Sequence, residues 1–145
     1  MILLDTNVIS ESFRPRPNEA AISWLKAQPP ASLYLCSPIL AELRYGVEKL
    51  ASGKRQRDLR LRVDHIETFF RDRMLIFDAA AATEFGRLAA YREKAGRRIE
   101  PVDGFIAAIA AVHNAILATR DVDDFAGLGI ELINPFEAVS PIDKN

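Results

Sequence analysis

The sequence predicts an α/β protein in which helices cover both faces of a mainly parallel central sheet of four or five strands. Three observations carry this. Short apolar runs that stop at polar residues recur along the chain, the segments between them have helical spacing, and 145 residues with 49% hydrophobic side chains suffice for one sizeable core. The charged fraction of 27% and the net charge of −1 are those of an ordinary globular domain and argue neither for nor against a polyanionic partner.

The first strand is predicted at 2–4, where an apolar run meets Asp5, Thr6 and Asn7. Asn18 can cap a helix through Trp24 and Leu25 that Pro29 and Pro30 end. A second strand is predicted at 33–36. Ser37 as N-cap and Pro38 in the first turn then open a helix over 39–50, before Gly53 breaks the chain. A charged helix over 54–73 shows Leu61, Ile66, Phe69 and Phe70 as its apolar side. A strand at 74–77 precedes Asp78, a cap for a helix to Ala95 with Gly96 past its end. Pro101 opens a helix over 102–113 that is apolar almost all round and therefore buried. Strands at 116–119 and 130–133 complete the set. Residues 1–138 read as one domain and 139–145 as a C-terminal tail.

Cys36 is the single cysteine, so no intrachain disulfide forms, and with only His65 and His113 beside it a His/Cys zinc site is excluded. No apolar stretch approaches the about 18 residues of a membrane span, and Asp5 interrupts any signal-peptide pattern. The expectation is a cytoplasmic protein. Fourteen of the 19 basic residues are Arg, whose planar fork suits phosphate and carboxylate.

Four carboxylates have positions that suit chemistry. Asp5 ends a strand, and in open α/β sheets ligands bind beyond the carboxyl ends of the strands. Glu42 lies three residues after Ile39 and four before Gly46, on the apolar face shared with Leu43, Val47 and Leu50. Asp103 starts the most apolar helix, and Asp121 follows the run Ile116–Ala118 with Asp124 three residues on. Each has an ordinary reading: Asp5 and Asp103 as N-caps, Glu42 paired with Arg44 or Arg87, Asp121 as a turn residue. Taken together, they gather on one edge of a parallel sheet, where they would repel one another unless a cation neutralised them. Oxygen-only ligands favour Mg²⁺ or Mn²⁺, and such an ion suits phosphodiester hydrolysis by activated water. Asp121 and Asp124 compete for the fourth place.

The segments Ile2-Leu3-Leu4-Asp5-Thr6-Asn7, Ala41-Glu42-Leu43, Val102-Asp103-Gly104-Phe105-Ile106-Ala107 and Ala118-Thr119-Arg120-Asp121, with Asp124-Phe125 and Leu132-Ile133-Asn134-Pro135, occur in this order. In this arrangement the chain resembles the PIN-domain ribonucleases, most closely the VapC/FitB-type toxins of type II toxin–antitoxin pairs. The resemblance implies a PIN-like α/β/α sandwich and Mg²⁺- or Mn²⁺-dependent endoribonuclease activity on RNA. It also implies a homodimer, inhibition by a cognate antitoxin, and no membrane. It assigns the acidic positions to Asp5, Glu42, Asp103 and Asp121, with Asp5 and Asp103 as metal ligands, and supporting places to Thr6, Asn7, Thr119 and Asp124. Gly104 departs from relatives that often carry a larger residue, and is expected to loosen that helix start. Arg14, Arg16, Arg97 and Arg98 are candidate RNA contacts, whereas the basic run from Lys54 to Arg62 reads first as a solvated helix face.

Three other readings stay open. One is an aspartyl-phosphate phosphatase with Asp5 as nucleophile, disfavoured because Asn7 stands where a second acid is wanted. Another is a catalytically silent PIN-like protein-binding module within a partner complex. The last is a fold whose acids are all caps and turns, which predicts no stabilisation by divalent ions.

Overall fold

The computed structural model describes residues 1–137, so the expected tail over 139–145 lies outside the described residues. Five parallel strands stand in the order β3-β2-β1-β4-β5. They are β1 (Ile2–Leu4), β2 (Leu33–Cys36), β3 (Met74–Leu75), β4 (Ile116–Ala118) and β5 (Leu132–Ile133). The helices are α1 (Thr6–Glu11), α2 (Glu19–Ala27), α3 (Ser37–Glu48), α4 (Lys54–Phe69), α5 (Ala79–Lys94), α6 (Pro101–Val112) and α7 (Val122–Phe125). Leu3, Leu4, Leu35 and Leu117 are buried from both sides, as parallel strands covered by helices require. Ile106 through Ala110 of α6 are fully buried, which bears out the reading of an all-round apolar helix.

Most element boundaries follow the sequence, and the departures have local causes. Asn18 and Asp78 cap α2 and α5 by accepting from the amides of Ala21 and Ala81. Ser37 does not cap α3. Cys36 holds the N-cap position, and the Ser37 hydroxyl instead accepts from the Phe77 amide at 3.2 Å, tying the end of β2 to the chain after β3. The helix predicted to reach 73 stops at Phe69, where the Arg73 guanidinium takes the carbonyls of Phe69 (2.7 Å), Leu33 (2.9 Å) and Pro30. The last strand shortens to Leu132–Ile133 because Gly127 and Gly129 turn the chain at φ +78° and +74°.

Of the aromatic residues, Phe70 is buried, and Trp24 and Tyr34 pack partly buried against the core. Phe69 and Tyr91 are exposed. Among the described residues no helix is long and apolar enough to cross a membrane.

Candidate active site

Parallel pairing decides where the acids go. β1 pairs with β4 in the register Leu4 to Ala118, and the Asp5 amide donates to the Ala118 carbonyl at 2.9 Å. Asp5 and Thr119 therefore leave the sheet side by side. The Thr119 hydroxyl, fully buried, donates to Asp5 Oδ2 at 2.7 Å and accepts from the Asp121 amide at 3.0 Å. The other oxygen, Asp5 Oδ1, accepts from the Thr6 amide at 2.8 Å. Asn7 completes the bridge: its Nδ2 donates to Asp121 Oδ2 at 3.0 Å and reaches Asp5 Oδ2 and Thr119 Oγ1 at 3.4 Å each, while its Oδ1 accepts from the Arg120 amide at 3.1 Å. The side-chain amide is thereby fixed in one orientation by a donor on one side and acceptors on the other.

Glu42 enters from α3, where its Oε1 accepts from the Thr6 hydroxyl at 3.0 Å. The basic partners it could have had are engaged elsewhere. Arg44 binds Asp64 at 2.7 Å and Glu67 at 2.6 Å, and Arg87 binds Glu84. Asp103 is half-buried within the first turn of α6, but Glu100 holds the N-cap position and the Asp103 carboxylate caps nothing. Its capping role is excluded. Gly104 does not loosen this helix start. A Cβ there would lie 2.6 Å from the Phe85 ring, so the missing side chain lets α6 close onto α5 above the Phe77–Phe85–Phe105 cluster.

Asp121 and Asp124, alternatives in the sequence, are both brought in. Asp121 bears more strongly than Asp124 on Asp5, whereas Asp124 bears more strongly than Asp121 on Asp103. Both acids thus bear on one cluster. Burial pushes the Asp5 carboxyl above its ordinary value against the pull of its Thr119 and Thr6 hydrogen bonds. Burial likewise raises Glu42. Burial, together with the charges of Asp5, Asp124, Glu42 and Asp121, pushes Asp103 up to about 6. Cys36, at the end of β2 beside this cluster, is pushed up to about 12 chiefly by burial and is an unreactive thiol.

Among the described residues no Lys or Arg forms an ion pair with Asp5, Glu42, Asp103, Asp121 or Asp124. Mutually repelling carboxylates with no counter-cation suit a hard divalent ion that binds through oxygen. The donor chemistry fits. The geometry is not closed, since among the described residues no three His, Cys, Asp or Glu side chains already stand within reach of one ion.

The basic residues divide. Arg14 lines a cavity of about 940 Å³ with Lys54, Arg55 and Arg62 of α4, Phe13 and Ser10. Within the charged run, Lys54 pairs with Asp58 and Arg60 with Glu48, as a solvated face would. Arg16 is exposed, and Arg98 lines a shallow cavity with Ile99, Glu100 and Pro101. Arg97 donates to the Asp123 carbonyl. Glu42 itself lies between two smaller cavities. One, about 230 Å³, is walled by Leu43 and Val47 of α3, Leu59 and Val63 of α4, and Phe13; the other, about 560 Å³, is walled by Pro38, Tyr45, Val102 and Phe105.

Two residues escaped the sequence reading. Glu11, 4% exposed, accepts from the Asn18 amide at 2.8 Å and lies 3.5 Å from Arg14 and 3.4 Å from Arg120, joining α1 to the chain after β4. Arg92 is equally buried on α5. Its signal was available: it follows the buried Leu88 by four residues, on the same helix face.

The PIN domain family profile matches residues 2–130. Toxin FitB of Neisseria gonorrhoeae is 40% identical over 94% of this chain and 99% of its own length. VapC ribonuclease Y4jK of Sinorhizobium fredii is 38% identical over 94% of this chain and 99% of its own. Among solved structures, a chain of FitAB bound to an IR36 DNA fragment superposes with a TM-score of 0.91 at 38% identity, covering 97% of this chain and 99% of that one.

Proposed function

The chain belongs to the PIN-domain family, in the branch of the FitB and VapC toxins, and from that premise we propose that it is a Mg²⁺- or Mn²⁺-dependent endoribonuclease, the toxin of a toxin–antitoxin pair. One observation carries the reading: five carboxylates, from the end of β1, the middle of α3, the first turn of α6 and the α7 turn, bear on one another's charge without an ion-paired cation. Structural caps and turns do not require that convergence.

In this mechanism Asp5 and Asp103 would hold the ion, with Asp121 and Asp124 available as further carboxylate ligands. When bound, the ion neutralises the carboxylates and polarises a phosphate oxygen and the attacking water. Asn7 and Thr119 aim Asp5 by donating to the same oxygen, Oδ2. Glu42, held by Thr6 and raised in pKa by burial, accepts the proton of the water as its oxygen attacks phosphorus. The bond from phosphorus to the 3′ oxygen breaks, and that oxygen takes a proton from solvent, leaving 5′-phosphate and 3′-hydroxyl ends. The basic cavity beside Arg14, Lys54, Arg55 and Arg62 gives the RNA backbone a positive track.

The partner in this reading is a cognate antitoxin, supported by the relative named a toxin and by the likeness to a chain of FitAB. The apolar cavity between α3 and α4, which opens on Glu42, suits an antitoxin segment that delivers a basic side chain among the acids. A homodimer completes the reading.

The test is cleavage of structured and unstructured RNA by purified protein freed of any partner, in Mg²⁺, Mn²⁺ or EDTA, with folded Asp5→Asn as control. Metal-dependent cleavage lost in Asp5→Asn supports the nuclease. Equal inertness of both proteins, with no Mn²⁺ binding, returns the chain to a silent binding module.

A further inference from the structure

The turn bearing Asp121 and Asp124 is fastened from outside the acid cluster. α7 has four residues, far too few to hold a helical turn alone. Phe125 anchors it in the core at 1% exposure. On its other side, Arg92 Nη2 of α5 donates to the carbonyls of Asp124 at 2.6 Å and Ala126 at 3.0 Å, and Arg97 donates to the carbonyl of Asp123. Arg92 is 4% exposed, and among the described residues no carboxylate pairs with it. Burying a guanidinium against neutral carbonyls is a costly way to stabilise a fold, because an apolar side chain would pack there without desolvating a charge. What the guanidinium adds is direction: it fixes the peptide units from which Asp124 projects.

We propose that Arg92 is a positioning residue for the metal centre, holding the α7 backbone from which the Asp124 carboxylate projects. The proposal rests on the metal-dependent nuclease reading and adds to it a long-range support from α5. Arg92 touches neither substrate nor ion, and its effect passes through Asp124.

The experiment measures Mn²⁺ binding to the full chain by the electron paramagnetic resonance signal of free Mn²⁺. It uses wild type, Arg92→Met, Arg92→Lys, Asp124→Asn and the Arg92→Met/Asp124→Asn double variant, with melting temperatures recorded alongside. Arg92→Met is expected to weaken Mn²⁺ binding about tenfold, and the double variant to bind no more weakly than Asp124→Asn alone. Arg92→Lys keeps the charge but not the two-carbonyl reach. It is expected to fall between, with faster amide exchange at Val122–Phe125 and unchanged exchange in α6. Unaltered Mn²⁺ affinity in a destabilised Arg92→Met protein overturns the proposal, and so do losses that add in the double variant. Should Arg92→Met not fold, wild-type affinity in Arg92→Lys overturns it equally. A wild type that binds no Mn²⁺ overturns the nuclease reading and this inference with it.

Discussion

Replacing Asp103 with Asn is expected to stabilise the metal-free protein and to destabilise the metal-loaded one relative to wild type. Ionised Asp103 faces four other carboxylates, and its carboxyl is pushed from 3.8 up to about 6, first by burial and then by those charges. Two pKa units at about 1.4 kcal/mol each amount to ~3 kcal/mol. The side chain is only half-buried, and solvent screening reduces this to about 1 kcal/mol. For a chain of this size that is about 3 °C in melting temperature. Asn keeps the shape and removes the charge, so in EDTA at neutral pH the variant melts higher.

The sign with pH follows from linkage. Folded Asp103 holds its proton up to about 6, whereas the unfolded chain has released it by pH ~4. The cost of ionisation is therefore full above the folded value, shrinks as pH falls, and is gone below the unfolded value, where the variant's advantage vanishes. With Mn²⁺ at a hundred times its dissociation constant, wild type gains about 2.7 kcal/mol. The variant, lacking a ligand, gains little, and the order of melting reverses. Calorimetry across pH, with and without Mn²⁺, reads all three arms. A variant that melts below wild type in EDTA at neutral pH, or equal Mn²⁺ stabilisation of both, would refute the electrostatic account.

Other substitutions separate the remaining roles. Thr119→Val removes the donor to Asp5 Oδ2 at no change of shape and is expected to cost about 1–3 kcal/mol in urea unfolding. Because the Thr119 hydrogen bond favours the ionised form of Asp5, the loss is largest at neutral pH and smallest in acid; a pH-independent loss would count against it. Glu42→Gln keeps an acceptor for Thr6 and removes a charge that burial and Asp5 disfavour, so the metal-free melting temperature does not fall while cleavage falls about 10²–10⁴-fold; undiminished cleavage would remove Glu42 from the chemistry. Gly104→Ala drives a Cβ to 2.6 Å from Phe85 and is expected to cost about 1–3 kcal/mol, partly restored by Phe85→Leu in the same chain. Arg55→Ala and Arg62→Ala are each expected to lower the salt slope of single-stranded RNA binding by about 0.7, measured on Asp5→Asn so that nothing is cut; an unchanged slope would take α4 out of the RNA path.

Local rules reached the sheet and the acids. That Asp5 and the end of β4 share one sheet edge was legible from the parallel strands, whereas their being direct neighbours follows from a strand order that the sequence does not report. Glu42 was legible because a charged residue on an apolar helix face demands an explanation. Asp103 could be placed at a helix start, but whether it capped α6 depended on the N-cap lying at Glu100, one helical turn earlier. Asp121 and Asp124 could not be ranked, because both bear on Asp5 and on Asp103 and only the tertiary arrangement brings them there. Ser37, Arg73 and Arg92 bind groups 40, 43 and 32 residues away. No local pattern reports such partners, and they account for the misplaced cap, the early end of α4 and the missed clamp on α7.

The hydrogen bonds from Thr119 to Asp5 and from Asn7 to Asp121 both span 114 residues. Closing so long a loop comes late in folding, since its entropy is lost before local contacts compensate it. On a ribosome the point is sharper. A nascent chain that has exposed β1, α3 and α6 already carries Asp5, Glu42 and Asp103, yet Asp5 lacks its Thr119 donor until β4 emerges and docks. The bridge of Asp5, Thr119, Asn7 and Asp121 is thus a property of the finished fold, absent from any N-terminal piece that ends before β4.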